Sequence, residues 1–243
     1  MVLIYSHQPS PRLRYIAKQL FERILGTSVS ITHNTEEFIT YEGAKFSYGK
    51  EPLGNEMFFQ SSNLLFEKGV NEDLISIKDW DGLPCFYLTP HPDSVFPFDV
   101  FASSFYLLTR YEEYLPQVKD NLGRFMAKTS LAYQHNFLKK PIVDLWALRL
   151  KNALQNEFPG IIWKPKEFDV ELICEVNEAF AYQKKGWFRT VEGLVTDFWA
   201  LKFRKILNRI KSLLGIMKDP FHTYRYMINI ARENDVNLRV FLV

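Results

Sequence analysis

The apolar and polar positions of the first 35 residues predict a strand, a helix and a second strand. The run from Met1 to Tyr5 is apolar enough for a short buried strand, and residues 28–33 alternate as a half-buried strand does. Between them, Ser10 and Pro11 form a favourable helix start, and apolar residues then recur every three or four positions. This order predicts an α/β unit. No glycine-rich turn follows the first strand, which excludes a dinucleotide or P-loop phosphate site there.

The next hundred residues predict strands and turns, followed by two helices. The segment from Glu36 to Leu88 has the pattern of strands and turns, with a tight hairpin at Asp81-Gly82. Asp99 is placed to cap the first helix, and Pro141 opens the second. The residues expected to face inward are Phe101, Phe105 and Leu108 on the first helix, and Val143, Trp146, Ala147 and Leu150 on the second.

Residues 161–168 (IIWKPKEF) are typical of a linker, so the sequence predicts two domains, 1–160 and 161–243. The second begins with FDVELICEVNEAFAY (168–182), which predicts a buried strand that ends in acidic and amide side chains. A basic helical segment follows, then a helix opened by Asp219-Pro220, and finally the strand Leu238 to Val243.

Two strands and about three helices are too few to close a barrel. The sequence is therefore expected to be the front part of a longer protein, or a shortened relative of one. A free apolar edge on the last strand predicts self-association through that strand. Four apolar helix residues are expected to lack cover: Phe198, Leu201, Leu207 and Leu213.

Composition narrows the class of protein. Of the 243 residues, 47% are hydrophobic and 24% are charged, which is globular, and a net charge of +2 gives no reason to expect nucleic acid as a partner. The many aromatic residues suit either a core or a carbohydrate-binding face. Cys85 and Cys174 are expected to be buried free thiols. The N-terminal apolar run is too short for a secretory signal and no run suits a membrane span, so a cytoplasmic protein is predicted.

Three other candidate features have ordinary structural explanations. Glu112 and Glu113 are adjacent on a helix and diverge, so they cannot flank one glycosidic bond, and Glu113 is expected to pair with Arg110 on the surface. His91 is expected to be an exposed loop histidine. The basic segment Lys202 to Lys211 is expected to be a solvated helix face over a barrel core, with binding to anionic lipid or a polyanion as the alternative.

Five stretches together resemble, in the same order, the N-terminal half of bacterial polysaccharide-deacetylase-like proteins. They are LIYSHQPSPRLRYIAKQLF, EPLGNEMFFQSSNLLFEKGV, FDVFASSFYLLTRYEEYLP, QHNFLKKPIVDLWALRLK and NEAFAYQKKGWFRT. The resemblance covers nearly all of the chain. It implies an accessory α/β domain of unknown function, followed by a partial deacetylase domain of distorted (β/α)-barrel type that begins near Lys166.

The resemblance also implies a metal-dependent carbohydrate N- or O-deacetylase site at the end of the first barrel strand, with zinc as the divalent metal. Relatives have paired aspartates there, one as general base and one as metal ligand, and two histidines four apart complete the site. In this chain Glu175 stands at the base position and Asn177, a much poorer ligand, at the metal position. Glu178 and Tyr182 are further candidates. The five histidines include no pair four apart, so no cofactor is predicted for this chain.

Two functions follow from this sequence. In the first, the chain is a polysaccharide-deacetylase-like protein of carbohydrate metabolism that is catalytically degenerate or truncated, and Glu175 retains at most a non-metal role such as hydrogen bonding to sugar. In the second, it is a non-enzymatic module that binds a glycan precursor or a protein partner.

Overall fold

A computed structural model of the chain describes residues 1–165 and 167–242. It contains two compact units, Met1–Lys166 and Glu167–Val243, so the predicted boundary near residue 160 lies six residues before the observed division. Both units combine helices and strands, which confirms the general α/β class. Among the described residues, no helix is long and apolar enough to cross a membrane.

A four-stranded parallel sheet organises the first unit. Its spatial order is β2-β1-β3-β4, with Val2 opposite both Val29 and Ala44. Two shorter strands form a separate antiparallel hairpin. The strands are β1 (Val2–Tyr5), β2 (Val29–Thr32), β3 (Ala44–Gly49), β4 (Phe58–Gln60), β5 (Lys78–Trp80) and β6 (Leu83–Cys85).

Helices cover the sheet of the first unit. They are α1 (Pro11–Ala17), α2 (Thr35–Thr40), α3 (Val100–Leu108), α4 (Leu131–Gln134) and α5 (Ile142–Glu157). A π-helix, Lys18–Ile24, continues α1, and 3₁₀ turns occur at Tyr111–Tyr114 and Ala127–Thr129. The main core lies between the sheet and α1, α3 and α5, and a smaller cluster of Leu3, Tyr5 and Phe38 lies under α2.

The local signals in the first unit are confirmed. The Ser10 hydroxyl accepts a hydrogen bond from the Leu13 N–H at 3.0 Å, which caps α1. Asp81 and Gly82 have φ values of 53° and 76°, the left-handed pair that a tight hairpin between β5 and β6 requires. Trp146 of α5 is fully buried and its indole N–H donates to the Pro84 carbonyl at 3.1 Å.

One buried carboxylate connects α3 to the sheet. Asp99 caps α3 by accepting from the Ala102 N–H at 2.9 Å. Its other oxygen accepts from the Tyr48 hydroxyl at 2.8 Å and from the Ser62 N–H and hydroxyl at 2.6 and 2.9 Å. Burial of this carboxyl raises its pKa, although the four hydrogen bonds act in the opposite direction.

Several expectations for the first unit are wrong. The segment predicted as strands and turns contains the short helix α2, which Asn34 caps through the Glu36 and Glu37 N–H groups. Leu108 is 40% exposed because it is the last residue of α3, where the helix no longer faces the core. His91 is not an exposed histidine, since 17% of its side chain is accessible and its Nε2 lies 2.9 Å from a Glu51 oxygen.

Two smaller expectations are confirmed. Arg110 and Glu113 pair on the surface, as their spacing predicts. Cys85 is a buried free thiol, and burial raises its pKa to about 11. Cys174, by contrast, is only partly buried.

The second unit consists of two parallel strands joined by three helices. They are β7 (Glu171–Val176), α6 (Trp187–Trp199), α7 (Phe203–Leu213), α8 (Tyr224–Glu233) and β8 (Asn237–Leu242). The strands pair from Glu171 opposite Asn237 to Val176 opposite Leu242. The sequence predicts a helix that opens at Asp219-Pro220, but in the structure this helix, α8, begins at Tyr224.

The second unit buries almost no apolar side chain. Ala231 is the one buried hydrophobic residue among its described residues, 167–242. The strand predicted to be buried is exposed, with Ile173 60% accessible. The four residues expected to lack cover are all exposed, by 59% at Phe198, 73% at Leu201, 55% at Leu207 and 44% at Leu213, which confirms that expectation, although Leu201 lies between α6 and α7 and not in a helix.

Candidate functional site

A cleft of about 600 Å³ follows the carboxyl end of β7 in the second unit. Asn177 and Glu178, the first residues after the strand, lie on one side of it. The remaining wall comes from the loop 179–185 and from the facing sides of α6 and α7. The end of a parallel strand is the usual position for a ligand site in α/β proteins.

Asp219 fixes the loop that lines this cleft. Its carboxylate accepts hydrogen bonds from the N–H groups of Ala181 (2.7 Å), Tyr182 (2.8 Å), Gln183 (3.0 Å) and Phe221 (3.0 Å). Desolvation acts to raise the pKa of Asp219, but the four N–H donors outweigh it and hold the pKa below its ordinary value. The charged carboxylate therefore keeps the loop in place.

Acidification is expected to release this loop. Because the folded pKa of Asp219 is lowered, its stabilisation is complete above the unfolded pKa, about 4, and is lost as pH falls through the folded value. We expect the amide protection factors of Ala181, Tyr182 and Gln183 to fall in that acidic range, as measured by hydrogen exchange. In Asp219→Asn an N–H₂ group that cannot accept replaces one of the two oxygens, so protection should be lower than in the unsubstituted protein and should not depend on pH in this range. Unchanged protection in this variant would contradict the role given to Asp219.

The walls of the cleft are mainly basic. Four cationic and two acidic side chains line it: Lys184, Lys185, Arg189 and Arg209, with Glu178 and Glu192. The Lys185 ammonium lies 2.7 Å from a Glu178 oxygen, and the Lys184 ammonium lies 5.7 Å from the centre of the Phe180 ring. Arg189 is exposed. The excess positive charge favours an anionic ligand.

Arg209 is held in position by three neighbours. It forms a salt bridge of 2.8 Å to Asp197, with both side chains nearly buried, and its guanidinium lies 5.1 Å from the centre of the Tyr182 ring. A Cβ at Gly193 would lie 2.3 Å from an Arg209 nitrogen, so a larger residue at position 193 would require the guanidinium to shift. The Nε of Arg209 is buried without a hydrogen-bond partner among the described residues. α6 and α7 thus present one rigid cation at the cleft.

The four residues predicted for this site are only partly brought together. Asn177 and Glu178 line the cleft, while Tyr182 stands behind Arg209. Glu175 is exposed on β7, opposite Phe241 of β8, and does not line the cleft. Nowhere in residues 1–165 and 167–242 do three histidine, cysteine or carboxylate side chains meet in a group that suits a metal ion.

Sequence reasoning missed two residues that contact the loop lining this cleft, Asp219 and His222. Asp219 was interpreted as a helix start because aspartate accepts backbone N–H groups, but three of the four N–H groups that it binds lie 36 to 38 positions away. His222 had no histidine partner at metal-ligand spacing, yet its ring stacks on Phe180 with centroids 6.1 Å apart. Neither contact has a signal in local spacing.

The fold and the cleft define an α/β protein with a parallel sheet in one unit and a basic cleft in the other. A family of unknown function (DUF7033) matches residues 2–159, so the chain belongs to this family. The match covers the parallel-sheet unit and stops before β7. No curated protein and no solved structure matches the chain.

Proposed function

We propose that this chain is a polysaccharide-deacetylase-like protein of carbohydrate metabolism whose β7 cleft binds a glycan or glycan precursor without hydrolysing it. The observation that supports the proposal most is the identity of Asn177. An amide stands where the resemblance requires a carboxylate, and basic side chains surround it. A neutral amide neither takes up a proton nor binds a divalent cation strongly. Position 177 therefore lacks the carboxylate that metal-assisted deacetylation requires.

The same cleft suits a sugar that carries an anionic group. Arg189 and Lys184 are placed to contact a phosphate or carboxylate, and Phe180 offers an aromatic surface beside them. Asn177 and Gln183 line the cleft and add amide groups that can donate to and accept from sugar hydroxyls. Glu175, outside the cleft, is not needed for such binding.

Binding of a sugar phosphate tests the proposal. We expect N-acetylglucosamine 6-phosphate to bind, and its uncharged parent N-acetylglucosamine to bind the β7 cleft much more weakly, in calorimetric titrations. Arg189→Ala should weaken phosphate binding by about tenfold, since a charged hydrogen bond is lost. The matched control is Arg204→Ala, an exposed arginine of α7 outside the cleft, which should have no effect.

Acetate release and metal binding test the second part of the proposal, that the chain does not hydrolyse its ligand. Acetate release from N-acetylated oligosaccharides should be undetectable, and zinc, cobalt or nickel should show no stoichiometric site of micromolar affinity. Steady acetate release, or one tight metal per chain, would overturn the proposal. Equal binding of the charged and uncharged sugars, with both weakened by Arg189→Ala, would overturn the assignment of the β7 cleft as an anion site.

A non-enzymatic partner-binding module is the second candidate function. The exposed apolar residues of α6, α7 and β8 favour it, because a surface of this kind is typical of an interaction site. A second copy of the chain, associating through β8, is the partner that the sequence predicts.

A further inference from the structure

A second cleft, of about 470 Å³, lies in the first unit at the carboxyl ends of β3 and β4. Three segments line it, 60–64, 73–76 and 87–90, together with Lys50 and Glu67. Its volume falls in the usual range for small-molecule sites, roughly 300–1,000 Å³. Its position is also the one where parallel sheets bind ligands.

The lining is rich in hydroxyl and amide groups and has little free charge. Seven polar uncharged residues contribute to it: Gln60, Ser61, Ser62, Asn63, Ser76, Tyr87 and Thr89. The Lys50 ammonium is occupied, since it donates to the Ser61 carbonyl at 2.9 Å and to the Asn63 side chain at 2.6 Å. Asp73 accepts from the Tyr87 hydroxyl at 3.2 Å. Such a surface suits a neutral ligand with many hydroxyl groups.

Ser61 lines this cleft and carries a buried hydroxyl without a partner among the described residues. The residue is 3% exposed, and its Oγ has no hydrogen-bond partner among the described residues. Its backbone is fixed on both sides, because its N–H donates to the Gly49 carbonyl at 2.7 Å and its carbonyl accepts from Lys50. A buried hydroxyl without a partner is unfavourable, and rotation of the Ser61 side chain about its Cα–Cβ bond would let a ligand hydroxyl in the cleft satisfy it.

Tyr87 forms part of the wall in an unusual backbone conformation. Its φ is 55°, in the left-handed region that bulky residues seldom adopt. The Tyr87 carbonyl accepts from the Asp99 N–H at 2.8 Å, which ties this strained position to the cap of α3. Strain of this kind persists where the surroundings over-determine it, and it is concentrated at ligand sites.

From these observations we propose that the first unit binds a neutral mono- or disaccharide in the cleft at the ends of β3 and β4. The inference extends the carbohydrate function proposed above to a site of its own, in the unit that matches the family of unknown function. Hydroxyl groups of Ser61, Ser76 and Thr89 and the amide of Asn63 supply both donors and acceptors for sugar hydroxyls.

The test measures the binding of glucose, maltose and N-acetylglucosamine to the full chain by saturation-transfer NMR and calorimetry. At least one is expected to bind in the millimolar range or better. Ser61→Ala should weaken that binding by about tenfold without lowering the melting temperature, because the lost hydroxyl has no partner within the protein. Tyr87→Phe should also weaken it. Ser104→Ala is the matched control, since Ser104 is another buried serine without a partner but lies outside the cleft.

Each outcome has a defined meaning. Absence of binding by all three saccharides overturns the inference, as does binding that Ser61→Ala and Tyr87→Phe leave unchanged. An equal loss in Ser104→Ala would mean a general packing effect and would also overturn it. Arg189→Ala, in the β7 cleft, should leave neutral-sugar binding intact. If it alone removes that binding, the saccharide occupies the β7 cleft, and only the inference about the first unit fails.

Discussion

Replacing Phe101 with alanine is expected to lower the free energy of unfolding of the first unit by about 3–5 kcal/mol. The side chain is fully buried, and its ring lies 5.0 Å from that of Tyr48, 5.8 Å from that of Phe46 and 6.0 Å from that of Phe59. Removing it leaves a cavity between α3 and the sheet that stiff aromatic neighbours cannot fill. Denaturant unfolding followed by near-ultraviolet circular dichroism measures the change.

Leu108→Ala is the control from the same helix. Leu108 is 40% exposed, so this substitution is expected to cost much less than the change at Phe101. Equal losses at the two positions would mean that α3 does not present the observed face to the core.

Hydrogen exchange is expected to differ between the two units by several orders of magnitude in dilute solution. Amides of β1 and β3 lie in a buried parallel sheet and should be strongly protected at any protein concentration. Amides of α6 to α8 belong to a unit whose one buried hydrophobic side chain, within 167–242, is Ala231, and they should exchange much faster than the amides of the sheet. If a second copy covers the exposed apolar residues, their protection should rise with concentration.

Phe241→Lys separates the effect of association from local stability. Phe241 of β8 is 53% exposed, and a lysine there should suppress the concentration-dependent protection of the second unit. Ile39→Lys, at a 66% exposed position of α2, is the control and should leave exchange unchanged. Strong protection of α6 to α8 in dilute solution would contradict this account.

What the sequence predicts best is local. Ser10 and Asp99 cap helices through N–H groups three positions away, and Asp81-Gly82 closes a hairpin between its immediate neighbours. These contacts depend on a few adjacent residues, so sequence alone identifies them. Leu108 shows what helical spacing cannot predict. The spacing places Leu108 on the inward face, but it does not indicate that α3 no longer contacts the core at its last residue.

The clefts could not have been predicted in this way. Asp219 and the loop from Ala181 to Gln183 meet across more than 35 positions, and the cleft in the first unit joins three separate segments. Apolar periodicity along α7 indicates which side is apolar but not what covers it. The prediction of a buried β7 failed for the same reason, since an apolar strand in an α/β unit still needs a neighbour on each face.

The hydrogen bonds by which Asp99 connects α3 to the sheet also have a consequence during protein synthesis. All four strands of the parallel sheet have been made once Gln60 is complete, but α3 begins only at Val100. At roughly 5–20 residues per second, those 40 residues take about two to eight seconds. Throughout that interval the hydroxyl of Tyr48 has no carboxylate to donate to, and Phe46 has no cover from Phe101. A sheet that formed before α3 was translated would therefore leave this part of its apolar face without the cover of Phe101.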